Sequence, residues 1–132
     1  VDATTDALYR VDEMTGDTTL IGPLGLNLQQ AGATWDDDSQ TLVAINSAND
    51  TLLEIDINTG AASQIATLSE GYGNVGFEYH PLTQQLYGFT GYQGTNPLYS
   101  VELNGTLTLV GDVGFGGATL AAPWSPDIPL PE

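Results

Sequence analysis

One hairpin is written three times in this chain, and that repetition limits what it can fold into more than anything else does. The middle copy, Leu52 to Leu68, reads LLEIDINTGAASQIATL. The first, Leu8 to Leu24, reads LYRVDEMTGDTTLIGPL, and the third, Leu98 to Val113, reads LYSVELNGTLTLVGDV. In the middle copy Leu53, Ile55 and Ile57 alternate with Glu54 and Asp56, the period-2 pattern of a strand with one buried face. Asn58-Thr59-Gly60 supplies turn chemistry, and Thr15-Gly16 and Asn104-Gly105 stand at the matching turns. Gly16, Gly60 and Gly105 are therefore expected at positive φ, where a Cβ would clash.

The stretches between the hairpins repeat as well. Gly32 to Trp35 reads as a short buried strand and Thr41 to Asn46 as the next; after the central hairpin, Val75 to Tyr79 and Gln85 to Thr90 repeat that order. Gly22-Pro23 is expected to end the first hairpin, because proline cannot continue a central ladder. Aligning Leu42 with Leu86 sets Gly32 over Gly76 and Trp35 over Tyr79, an offset of 44 residues. A period of about 40 to 50 residues holding four short strands is the signature of β-propeller blades. The expected fold is all-β, built of tandem four-stranded antiparallel blades, about two and a half of them. Residues 1–121 form the repeat domain, in units of about 7–31, 32–74 and 75–116 with a partial unit at 117–121; residues 122–132 are a Pro-rich tail.

The pattern L-Y-x-[IV]-[DE]-x-x-T-G-x-x-T-x-[IL]-G, present as LYRVDEMTGDTTLIG, resembles repeats of secreted bacterial β-propellers of the YVTN and NHL kind. The resemblance runs from Leu8 to about Leu120. Its motifs specify a blade hairpin and transfer no catalytic residue. Naming the four strand positions of a blade A to D, the chain reads CD, ABCD, ABCD, A, so one blade is divided between its ends.

Charge narrows the partners. Seventeen acidic residues stand against one Arg and no Lys, for a net charge of −16. Such a surface repels nucleic acid and anionic membrane, whose binding requires basic side chains. There is no Cys for a disulfide or a thiolate metal site, and no run of about 20 apolar residues to span a bilayer. The chain starts with Val, which fits a processed product or an excised fragment, and the Lys-free, Thr- and Asn-rich repeats point to a secreted protein.

Chemistry has little to work with. His80 is the single histidine, and it precedes Pro81 in the A–B turn where its counterpart is Asp36. No carboxylate pair stands out, so the expectation is a protein that is not an enzyme and carries no cofactor. Asp36, Asp37 and Asp38 offer hard oxygen ligands that suit Ca²⁺, although WDDDSQ lacks EF-hand spacing and the equivalent turn, His80 to Thr83, has no acid. The plainer reading is an acidic turn. Tyr72 and Tyr92, in the Gly-rich links EGYGN and GYQGTN, are the rings freest to stack on a glycan; Trp35, Tyr79, Tyr87 and Tyr99 read as packing residues.

The expected function is a structural or interaction module that forms a homo-oligomer or polymer head to tail. Leu8, Tyr9 and Val11 of the first hairpin would meet Gly117, Ala118 and Leu120 of the terminal strand, giving a ring or a filament. The alternatives are a carbohydrate-binding module and a fragment of a larger secreted propeller.

Overall fold

The computed structural model describes residues 1–73, 76–91, 96–115 and 120–121. Among these, ten strands form three antiparallel sheets. β1 (Ala7–Val11) and β2 (Thr18–Pro23) make a two-stranded sheet. β3 (Ala31–Asp36), β4 (Thr41–Asn46), β5 (Thr51–Ile55) and β6 (Ala62–Thr67) make the second, in chain order. β7 (Gly76–His80), β8 (Gln85–Phe89), β9 (Pro97–Val101) and β10 (Leu107–Asp112) make the third in the same way.

The central sheet is apolar on both faces because both are covered. In β4, Val43 and Ile45 point one way and Leu42 and Ala44 the other. Ala44 joins Leu53 and Ile55 in a core with Leu8, Leu24 and Leu28 of the first hairpin and its following loop. Val43, Ile45 and Leu52 pack instead on Phe77, Tyr79, Leu86, Tyr99 and Val101 of the third sheet. At the inner edge β3 meets β7: the Thr34 hydroxyl donates to Glu78 Oε1 at 2.5 Å and accepts from the Tyr79 N–H at 3.1 Å.

The hairpin turns follow the expected chemistry. Gly16, Gly60 and Gly105 have φ of +77°, +81° and +90°. Asp12 Oδ1 accepts from the Met14 and Thr15 N–H groups, and Asp56 Oδ1 from those of Asn58 and Thr59. These bonds hold both carboxyls below the usual aspartate range, with the nearer N–H of each pair dominant. They also end the strand early. β5 stops at Ile55, and Ile57, expected to continue the alternation, is an exposed turn residue. The third turn is one residue tighter, closing from Gly105 N to Glu102 O where the others span Asp12 to Gly16 and Asp56 to Gly60.

Two strand details depart from expectation. β2 does not stop before Pro23, which pairs with Ala7. β2 is an outer edge strand, so the N–H that proline lacks has no ladder partner to lose. The second departure recurs in every hairpin: a β-bulge at Ile21, Ile65 and Val110, each five residues after its turn glycine.

Candidate functional site

Among the described residues the first sheet holds only the C and D strands of a blade, and the consequence falls on Trp35. Tyr79, its counterpart one repeat later, is 7% exposed, lying in a cleft closed by the preceding A–B turn through Asp36, Asp38 and Ser39. Burial first, and then the Asp38 carboxylate, raise its phenol pKa. Trp35 is 39% exposed: among the described residues, the sheet before it brings no A–B turn against the ring. The edge of β1 away from β2 is likewise unpaired among the described residues beyond a single bridge from Asp2 to Ala7.

The acidic triad does not form a cation cage. Asp36 is buried, and it accepts from the Asp38 and Ser39 N–H groups at 3.0 and 3.4 Å and from Ser39 Oγ at 2.8 Å. Its carboxylate caps its own turn. His80 does the same in the next repeat, its Nδ1 accepting from Thr83 N at 3.3 Å. Among the described residues, no group of three or more histidine, cysteine, aspartate or glutamate side chains is placed to hold a metal ion.

Tyr72 is not a free ring. It is 3% exposed and part of the core between the second and third sheets, with its hydroxyl against Gly88, where a Cβ would collide with it. Its N–H donates to Asp50 Oδ1 at 2.7 Å, and the Gly73 N–H donates to Thr90 Oγ1 at 2.8 Å, which folds the Gly-rich link onto the core. Burial pushes the phenol pKa far up, with a smaller push from Tyr99. Its oxygen has no hydrogen-bond partner among the described residues. Tyr72→Phe is therefore expected to raise stability by about 1 kcal/mol, since a buried hydroxyl without a partner costs about 1–3 kcal/mol. Urea denaturation measures this; a substantial loss of stability would mean the hydroxyl is bonded. Tyr92 lies outside the described residues.

Of the residues expected to mediate self-association, Leu8 is buried in the chain's own core and is unavailable to a partner. Its neighbours across the alternation face outward: Tyr9 is half-buried and Val11 is 61% exposed. Leu120 is half-buried against a pocket formed with Glu78, His80, Tyr87 and Leu98 on the far face of the third sheet. Gly117 and Ala118 lie outside the described residues.

The repeat carries polar clasps that strand patterns do not reveal. Asp6 and Asp50, 44 residues apart, both have positive φ, at 49° and 53°. Their carbonyls accept from Leu24 and Leu68, and their carboxylates from Leu28 and Tyr72. Asn46 and Thr90 form a second such pair, accepting from Gln29 and Gly73. The available signal was the 44-residue offset itself, which sets Tyr72 over the buried Leu28.

No family model and no curated protein matches the sequence. Among solved structures, the chain is similar to one in a crystal structure of a nidogen/laminin complex, with a TM-score of 0.60 and 17% identity. The match covers 83% of this chain and 41% of that one. The fold is propeller-like. At this identity the likeness shows architecture alone: all-β, open, with four-stranded antiparallel sheets that stack face to face. The chain spans well under half the length of that neighbour.

Proposed function

We propose that this chain is a non-enzymatic, exported structural or interaction module that associates with copies of itself head to tail, and that its repeats belong with secreted propellers of the YVTN and NHL kind. The observation that carries the reading is the half-blade. β1 and β2 have no A or B strand beside them among the described residues, and the partly exposed ring of Trp35 lies on the face those strands would close. Sheet edges and apolar sheet faces left open in this way are templates for another chain. Two copies would contribute two whole blades each and share two more, closing a ring; a small error in rotation would give a filament. The buried polar side chains Thr34, Asp36, Asn46 and Thr90 all hold strands and loops together, which fits a scaffold rather than a reaction centre.

Net charge sets the condition. Copies at −16 repel one another at low ionic strength, and the Debye length contracts from about 10 Å at 0.1 M salt to about 3 Å at 1 M. Mass by sedimentation or light scattering is expected to rise in 1 M salt, and as pH falls toward about 4, where carboxylates ordinarily titrate. A monomer under every condition would overturn self-association and favour the second reading, in which the missing strands belong to a longer chain. The short coverage of the structural neighbour is the observation behind that alternative.

A further inference from the structure

A closely similar contact joins the sheets twice within this chain, and among the described residues one further half of it stands uncovered in the first hairpin and another in the last. In the first instance the turn at Gly60 sits on the backbone of β2. A Cβ on Gly60 would collide with the Gly22 carbonyl, and one on Gly22 with the Thr59 carbonyl, while Ala62 N donates across to Leu24 O at 2.9 Å. In the second, the turn at Gly105 sits on β6. A Cβ there would collide with the Thr67 carbonyl, and Leu107 N donates across to Ser69 Oγ at 3.0 Å. The plug is a hairpin-turn glycine. The socket is the D-strand segment just after the bulge: the carbonyl of Gly22, the first residue past it, in one case, and of Thr67, the second residue past it, in the other.

Two positions of this kind are open. Gly16 is the turn glycine of the first hairpin, and no described atom lies within 4 Å of where its Cβ would stand. Gly111 follows the bulge residue Val110 and pairs with Leu98, as Gly22 pairs with Leu8 and Ala66 with Leu52. It too has no described atom within 4 Å of its Cβ position. The plug is at the start of the chain and the socket at the far side of the last sheet. From this continuity with the two internal interfaces, we infer that the Gly16 turn of one copy docks on the Gly111 segment of β10 in a second copy. This rests on the self-association reading and gives it an interface.

One substitution in the pattern sets when the contact forms. The second residue past the bulge is Pro23 or Thr67 at the internal contacts and Asp112 at the open one. Asp12, Glu13 and Asp17 flank the Gly16 turn. The internal sockets are neutral, whereas the open one sets a carboxylate against three others. Like charges this close oppose docking at low salt and are screened at high salt.

The test uses the full chain with three single variants. Gly111→Leu fills the socket at a site where no described atom lies within 4 Å of the Cβ position, and Gly16→Asn places a side chain on the plug while keeping a residue that tolerates positive φ. Asp112→Asn removes the charge and keeps the side-chain acceptor that Gly114 N uses at 2.7 Å. In 1 M salt the unsubstituted chain is expected to assemble, while Gly111→Leu and Gly16→Asn each run as folded monomers by light scattering and circular dichroism. Mixed in equal amounts, those two should give a heterodimer and nothing larger, since only one plug and one socket remain. Asp112→Asn should assemble at salt concentrations at least twofold lower. If Gly111→Leu and Gly16→Asn assemble as the unsubstituted chain does, the plug and socket are wrong while self-association stands. If the unsubstituted chain is itself monomeric in 1 M salt, the self-association reading fails and this interface with it.

Discussion

Gly60→Val is expected to destabilise the fold by about 3 kcal/mol or more and Gly16→Val by about 1–2 kcal/mol, although the two glycines hold equivalent turns. Both have positive φ, +81° and +77°, which a β-branched residue adopts only with strain of about 1–3 kcal/mol. The difference is what stands opposite. A Cβ on Gly60 meets the Gly22 carbonyl of the neighbouring sheet, and that collision is with backbone rather than a side chain that can swing away. A Cβ on Gly16 meets no described atom. Urea denaturation of the two variants in low salt measures the gap. Equal losses would show that turn strain alone matters and that the sheets do not lean on Gly60.

Leu53→Ala is expected to cost about 2–5 kcal/mol, the range for emptying a leucine site in a packed core. Leu53 is 1% exposed and belongs to the core that joins the second sheet to Leu8, Leu24 and Leu28. Single domains have only about 5–15 kcal/mol in total. The loss should also be local. The first hairpin is held chiefly by this core, so amide exchange in β1 and β2 should accelerate more than exchange in β8 and β9. Uniform acceleration across all three sheets would show that the hairpin does not loosen as a separate unit.

The repeat was legible because it is written in residues whose meaning is local. Turn glycines, alternating strands and a 44-residue offset all speak through neighbours in sequence, and the sheets follow them. The errors lie where a distant residue decides. Tyr72 looks free among glycines, yet Asp50 and Thr90, 22 and 18 residues away, take its N–H and that of Gly73 and draw the link inward. Leu8 looked like an interface residue because alternation cannot say which face the chain itself will cover; the loop residues Leu24 and Leu28 cover it. Asp36 had ligand chemistry on paper, but a carboxylate placed at the start of a tight turn meets its own N–H groups first. The bulges were hidden in plain sight as paired apolar residues, Leu20-Ile21 and Leu109-Val110, that break a period of two.

Those bulges have a consequence for the dimensionality of any assembly. Each sits on an outermost strand, where it kinks the backbone and adds local twist. A rim interrupted at the same height in all three sheets presents no straight run of amides for a neighbour to zip along. Side-by-side accretion is thus discouraged along the D-strand edges of the three sheets. What stays open points along the direction in which the sheets stack. If copies associate as proposed, they would have a valence of two, one bond at each end, and would line up or close a circle rather than thicken into a mat.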